Sequence, residues 1–151
     1  MLTAHVPPLD IDTTEQRLAA RLDRQELLNR HKPPAVASFL IEEVVLHRPV
    51  GGADVMKRQL QRLLERAATR NVQIRIVPTA LGAHSGLNGS MVLLETAEHR
   101  NVAYVEAQDT GVVIAEANKV SEFWLRYGML RSQALNIEES ARLIKRVMGE
   151  L

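Results

Sequence analysis

Three β-rich runs crowded into one stretch of chain limit the fold more than any other feature. They span 90–96, 102–107 and 112–116, and only the links 97–101 and 108–111 separate them. Links that short suit antiparallel hairpins, because a parallel crossover needs a dozen or more residues. A fourth run, 72–77, alternates Val72, Ile74 and Ile76 against Gln73, Arg75 and Val77, which predicts a strand with one wet face. Residues 36–41 form a continuous apolar run and read as a buried strand. Residues 42–47 either continue that strand or turn into a short helix.

Helical patterns surround these runs. The first helix, capped by Asp12, Thr13 or Thr14, runs to about Asn29, with Leu18, Leu22 and Leu27–Leu28 on one side. His31, Lys32, Pro33 and Pro34 break it, and residues 48–52 (Arg-Pro-Val-Gly-Gly) make a turn. The second starts at Ala53 or Asp54 and runs to about Thr69, with Val55, Met56, Leu60, Leu63, Leu64 and Ala67 on its core face. The third opens at Ala117 or Asn118 and reaches about Ala134. Asn136 and Glu139 have capping-box spacing and open the last helix, which runs to about Gly149. The expected class is α+β: an antiparallel sheet of about five strands, with helices before, within and after it. The 151 residues suit one domain over 1–151, with 1–10 an extended entry segment stiffened by Pro7 and Pro8.

Composition narrows the chemistry. Phe39, Tyr104, Phe123, Trp124 and Tyr127 are the five aromatics, so the core must be built from Leu, Val, Ile and Ala. A net charge of +1 gives no strong pull on nucleic acid or an anionic membrane. The absence of cysteine excludes disulfides, thiolate metal sites and cysteine catalysis, and fits a cytoplasmic protein. No apolar run approaches the roughly 18 residues of a membrane span. The histidines at 5, 31, 47, 84 and 99 lack the spacing of a zinc site, so neither a metal nor a cofactor is expected.

Several short pieces, in this order, carry a resemblance. They are Leu46-His-Arg-Pro-Val-Gly-Gly52, Met56, Gln59-Leu60, Asn71-Val-Gln-Ile74 and Pro78. The loop Gly82-Ala-His84 with Gly86 and Gly89 follows, then Leu93-Leu-Glu95, Tyr104-Val-Glu106, Gln133-Ala-Leu135 and Glu138-Glu-Ser140. Together they resemble the sensor-like C-terminal domain of actinobacterial XRE-type helix-turn-helix regulators, the antitoxin-like or WhiJ-type proteins. The match departs at His47, where arginine is expected, at Ser85, where proline is common, and at Ser90-Met91, where Pro-Phe is common. The resemblance implies a regulatory domain that senses a small molecule, binds a small partner protein or forms a homodimer. It implies DNA binding only through a helix-turn-helix that this sequence does not contain.

The loop 82–89 holds three glycines, which permit positive φ and close backbone approach. Its N–H groups suit an anion cradle, although no Gly-Lys-Ser/Thr follows and an ordinary irregular connection with turn glycines is the plainer reading. His84 in that loop and His47 are candidate proton carriers or ligand donors. Glu43, Glu95 and Glu106 lie in or beside apolar runs, where a carboxylate needs a partner; Arg48 and Arg75 are the expected ones. The candidate ligand-binding set is therefore Glu43, His47, Arg48, Gly82, His84, Gly86, Tyr104 and Glu106, with a pocket expected between the sheet and the second helix near Glu43, His84 and Tyr104. Tyr104 and Glu106 are two apart and face one side of a strand. Phe123, Trp124 and Tyr127 are either core packing or an interface patch.

Three functions compete. One is a non-catalytic ligand- or partner-binding regulatory domain. Another is a small enzyme of secondary metabolism (an isomerase, cyclase or hydrolase) using Glu43, His84, Tyr104 and Glu106 as acid–base groups; no Gly-x-Ser-x-Gly nucleophile motif is present. The third is DNA binding by the arginines of the first helix, Arg17, Arg21 and Arg24, against which the small net charge argues. The plainer reading of those arginines is a solvated face.

Overall fold

A computed structural model describes residues 6, 8–30, 32, 34–106 and 110–151. Pro7, His5, His31, Pro33 and the expected strand end at Ala107 lie outside them. The elements run α1 (Ile11–Glu26), β1 (Ala37–Glu42), α2 (Glu43–Leu46), α3 (Ala53–Ala67), β2 (Val72–Val77), β3 (Met91–Glu95), β4 (Asn101–Glu106), β5 (Gly111–Ile114), α4 (Ala117–Gln133) and α5 (Ile137–Glu150).

The strands form two sheets rather than one. β1 and β2 pair in parallel, and β3, β4 and β5 make an antiparallel meander in chain order. The α+β class holds, but the expected single antiparallel sheet does not. The reason lies in the connection between β1 and β2: it carries α2 and α3, and a helical crossover returns the chain in the same direction.

The parallel register sorts the side chains of the first sheet. Phe39 pairs with Ile74 and Ile41 with Ile76 on one face; Leu40 pairs with Arg75 and Glu42 with Val77 on the other. The first face meets α3 and α5 and holds the main core: Leu46, Met56, Leu60, Val72, Ile74, Ile76, Leu143, Ile144 and Val147. Leu46, Leu60 and Ile76 are wholly buried. Each such side chain stabilises the fold by about 1.5–3 kcal/mol over its exposed state. The second face is not wet as its alternation suggested. Val77 is buried and Gln73 and Arg75 are half-buried, because α4 packs there.

The edge of β2 away from β1 is closed by side chain and backbone together. Ser140 Oγ accepts from Ile76 N–H at 2.9 Å, and Leu135 N–H donates to Ile76 O at 2.9 Å. Ser140 is placed there by the Asn136–Glu139 capping box, which fixes the start of α5 at Ile137, three residues before it. Asn136 accepts from Glu139 N–H at 2.9 Å, and Glu139 accepts from Asn136 N–H at 3.1 Å.

The meander is covered on one side only. Ala103 is wholly buried, and Leu93, Val105 and Ile114 on the same face are half-buried; α4 lies against β3 and β4 and buries Val120. The opposite face is open: Val92 is 59 %, Leu94 51 % and Val113 66 % exposed. α4 thus serves two sheets at once, which is why its apolar residues do not gather on one stripe.

α1 stands apart from this body. Its cap is Asp10, not Asp12, Thr13 or Thr14: Asp10 accepts from both the backbone N–H and the hydroxyl of Thr13 at 2.7 Å. Those bonds, the hydroxyl's first, hold the Asp10 carboxyl below its ordinary value. Thr13 is then the third helical residue and its N–H is one that needs a cap. No residue of α1 is buried, and Leu18 and Leu22 are about half exposed. The chain is pinned only past the helix, where Leu28 packs against the core and Asn71 Nδ2 donates to Leu28 O and Ala35 O at 3.0 Å.

Candidate functional site: an apolar cleft with one carboxylate

The two sheets and α4 enclose a cleft of about 590 Å³. One wall is the α4-facing side of the first sheet, Leu40 and Val77. The other is Met91 and Leu93 of β3, with Tyr127 and Leu130 of α4 at the back and Val44 and Val45 of α2 at the rim. The segment from Gly86 to Met91 closes one side. Pockets of about 300–1,000 Å³ lined by apolar side chains with few polar groups suit small organic molecules. Among the described residues, Glu42 is the one charged member of the lining.

Glu42 ends β1 and is held from behind by His84. The imidazole is 3 % exposed, with Nε2 3.3 Å from Glu42 Oε1. Gly86 N–H donates to His84 Nδ1 at 3.2 Å. A nitrogen that accepts carries no proton, which assigns the ring proton to Nε2, the nitrogen nearer the carboxylate. Glu42 keeps about a third of its side chain exposed. One carboxylate oxygen therefore faces the histidine while the group as a whole still borders the cleft.

The loop that carries His84 is folded as a cover, not as an anion cradle. It forms two single 3-10 turns, Thr79–Leu81 and Ser85–Asn88. The N–H groups of Leu81, Gly82, Leu87 and Gly89 donate to loop carbonyls, Gly86 N–H to His84, and Thr79 N–H to Glu43 Oε2 at 2.8 Å. Gly82 and Gly89 have positive φ, +70° and +113°, so the turn role of the glycines is real and the anion role has few donors left. Gly86 is required for space: a Cβ there would meet His84 Nδ1 at 3.0 Å and Leu130 Cδ2 at 3.1 Å.

Of the residues singled out from the sequence, Gly86 and Tyr127 line this cleft and His84 stands behind its carboxylate. Glu43 is next door but turned away, tying α2 to Thr79 and standing 3.9 Å from His47 Nε2. His47 and Arg48 lie exposed on the turn after α2. Tyr104 and Glu106 are elsewhere. Tyr104 pairs with Val92 and Val113, so it shares the open face of the meander, where its ring lies over Gly111. Glu106 is exposed opposite Gly111. The expected gathering of Glu43, His84, Tyr104 and Glu106 does not occur, and the pocket is bounded by β3 and α4, not by the second helix, α3.

The expected arginine partners are also absent. Glu95 pairs with His99 at 2.7 Å, and among the described residues neither Arg48 nor Arg75 makes an ion pair. Arg75 Nε is buried without a hydrogen-bond partner, beside Trp124, Tyr127 and Arg131. The α4 aromatics divide their roles: Tyr127 lines the cleft and meets Trp124 edge-to-face at 5.9 Å, while Arg126 lies over the Phe123 ring at 5.1 Å. Trp124 remains 38 % exposed.

Sequence reasoning missed Glu42, choosing its neighbour. The signal was there in part: a carboxylate at the end of an apolar strand, on the face shared with Leu40. Its partner lies far along the chain, which no local pattern reveals. Among the described residues no group of three or more His, Asp or Glu could hold a metal ion, and no helix is long and apolar enough to cross a membrane.

A family model matches residues 1–146, which includes every residue of the cleft. The chain belongs to the DUF5753 family. Its description is a domain of unknown function. No curated protein and no solved structure matches this DUF5753 chain.

Proposed function

We propose that this DUF5753 domain is a non-catalytic, ligand-binding regulatory module, and that the cleft beside Glu42 is where it binds. The observation that carries the reading is a cleft of about 590 Å³ with apolar walls from two sheets and a single buried-side polar pair, Glu42 and His84. That is the arrangement of a site that encloses an apolar body and orients it by one polar contact. The reading agrees with the sensor role implied by the resemblance to XRE-type, antitoxin-like regulators; DNA contact would then belong to a helix-turn-helix outside this sequence. An acid–base enzyme built on Glu43, His84, Tyr104 and Glu106 gains no support, since those four side chains do not converge.

Native mass spectrometry of gently purified protein tests the proposal. The expected result is a retained small-molecule mass, lost in Ser90→Trp, a substitution at an exposed rim position that fills the cleft. Retention undiminished in Ser90→Trp would place the ligand elsewhere. A bare protein, or one carrying only a small protein partner, would point to an interaction domain instead.

A further inference from the structure

Resting on the binding role just proposed, we infer that the cleft selects small organic cations: a primary or secondary ammonium on an apolar body. Three observations lead there. Among the described residues the lining carries one formal charge, the Glu42 carboxylate, and no lysine or arginine. The lining also includes Tyr127, and an aromatic ring at a site attracts a cation more readily than an anion. The third is the state of His84. Its Nδ1 accepts from Gly86 N–H, which assigns its proton to Nε2, the nitrogen 3.3 Å from Glu42 Oε1.

The consequence follows from simple electrostatics. A carboxylate at the edge of an apolar cleft presents acceptor oxygens only. An ammonium ligand places its N–H donors there and gains a charge-assisted hydrogen bond, the stronger kind. An alcohol gains a neutral–ionic bond without the opposite charge. A carboxylate ligand meets like charge, and among the described lining residues only the Ser90 and Tyr127 hydroxyls could donate to it. His84 is a positioning residue in this scheme. Its buried ring fixes the carboxylate against Leu40 and Val77 and does not itself face the ligand. The remaining lining, Val44, Val45, Met91 and Leu93, takes the apolar body.

Three probes of one chain length decide it: n-hexylammonium, 1-hexanol and hexanoate, titrated into the full chain. Backbone amide shifts of Gly86 and Gly89 report occupancy by NMR. Hexylammonium should bind at least about ten-fold more tightly than hexanoate and measurably more tightly than hexanol. Glu42→Gln should erase the preference for hexylammonium, by about ten-fold, and weaken hexanol much less, since the amide oxygen still accepts from a hydroxyl. Equal binding of hexanol and hexylammonium, unaltered by Glu42→Gln, would overturn the cation selectivity while leaving a ligand cleft. No shift with any of the three would overturn both the selectivity and the binding role. Preference for hexanoate would reverse the assignment of charge. Ser90→Trp controls the location, since it must weaken all three; shifts that survive it arise from surface adsorption and overturn the inference.

Discussion

Single residues here act mainly through what they leave satisfied. Ser140 is the buried polar side chain of the core, wholly enclosed, and its hydroxyl is the acceptor for Ile76 N–H. Ser140→Ala would strand that donor inside the protein. The expected cost is about 1–3 kcal/mol in chemical denaturation, more than its volume change implies. A change under about 0.5 kcal/mol would mean that Ile76 finds another acceptor. Gly86 works by a different logic: its missing side chain leaves room for His84 and Leu130, while its N–H donates to His84 Nδ1. Asn136, Glu139 and Asp10 show how legible such roles are. The capping box was readable because both members sit at fixed spacing. Asp10 was not, because Asp12, Thr13 and Thr14 are equally good caps by type, and only the entry angle of the chain chose among them.

Elements differ in how much tertiary support they receive. α3 and α5 bury their apolar stripes against β2. α1 has a comparable stripe and buries none of it. A helix of this length on its own is marginal in water. Leu18→Ala and Leu22→Ala should therefore shift global unfolding by less than about 0.5 kcal/mol. Leu60→Ala in α3 should cost about 2–5 kcal/mol. Thermal or urea unfolding of the three variants at low micromolar concentration makes the comparison; a large loss in the α1 variants would reveal contacts that a second copy or another segment provides. Strand limits were read to within a residue or two, since alternation and flanking turns are local. The direction of β1 against β2 was misjudged, because pairing is set by how the intervening α2–α3 segment packs, and local alternation is the same in either direction.

At the scale of the whole molecule, two sheets share one helix. The main core draws on the β1–β2 sheet and its helices, while the meander adds Ala103 alone to the buried apolar set. α4 joins them through Val120 at one end and Leu130 at the other. Within the body that the two sheets and α4 form, opening should begin in the meander. Native-state hydrogen exchange should find the amides of Ile74 and Ile76 the slowest and those of Val112 and Val113 faster by orders of magnitude. Equal protection in both sheets would show that α4 couples them into one unit.

Helix and strand identity, the caps at α5 and the apolar stripes were all present in the order of residues, because each depends on neighbours a few positions apart. The α+β class followed from them. The division into two sheets, the exposure of α1 and the pairing of Glu42 with His84 were decided by packing. β1, the 79–90 loop and α4 meet only once the chain has folded, and the cleft among them belongs to no single segment. Glu42 and Glu43 differ by one position and have the same side chain. The strand's two-residue period turns one into the cleft, and the start of α2 turns the other to Thr79.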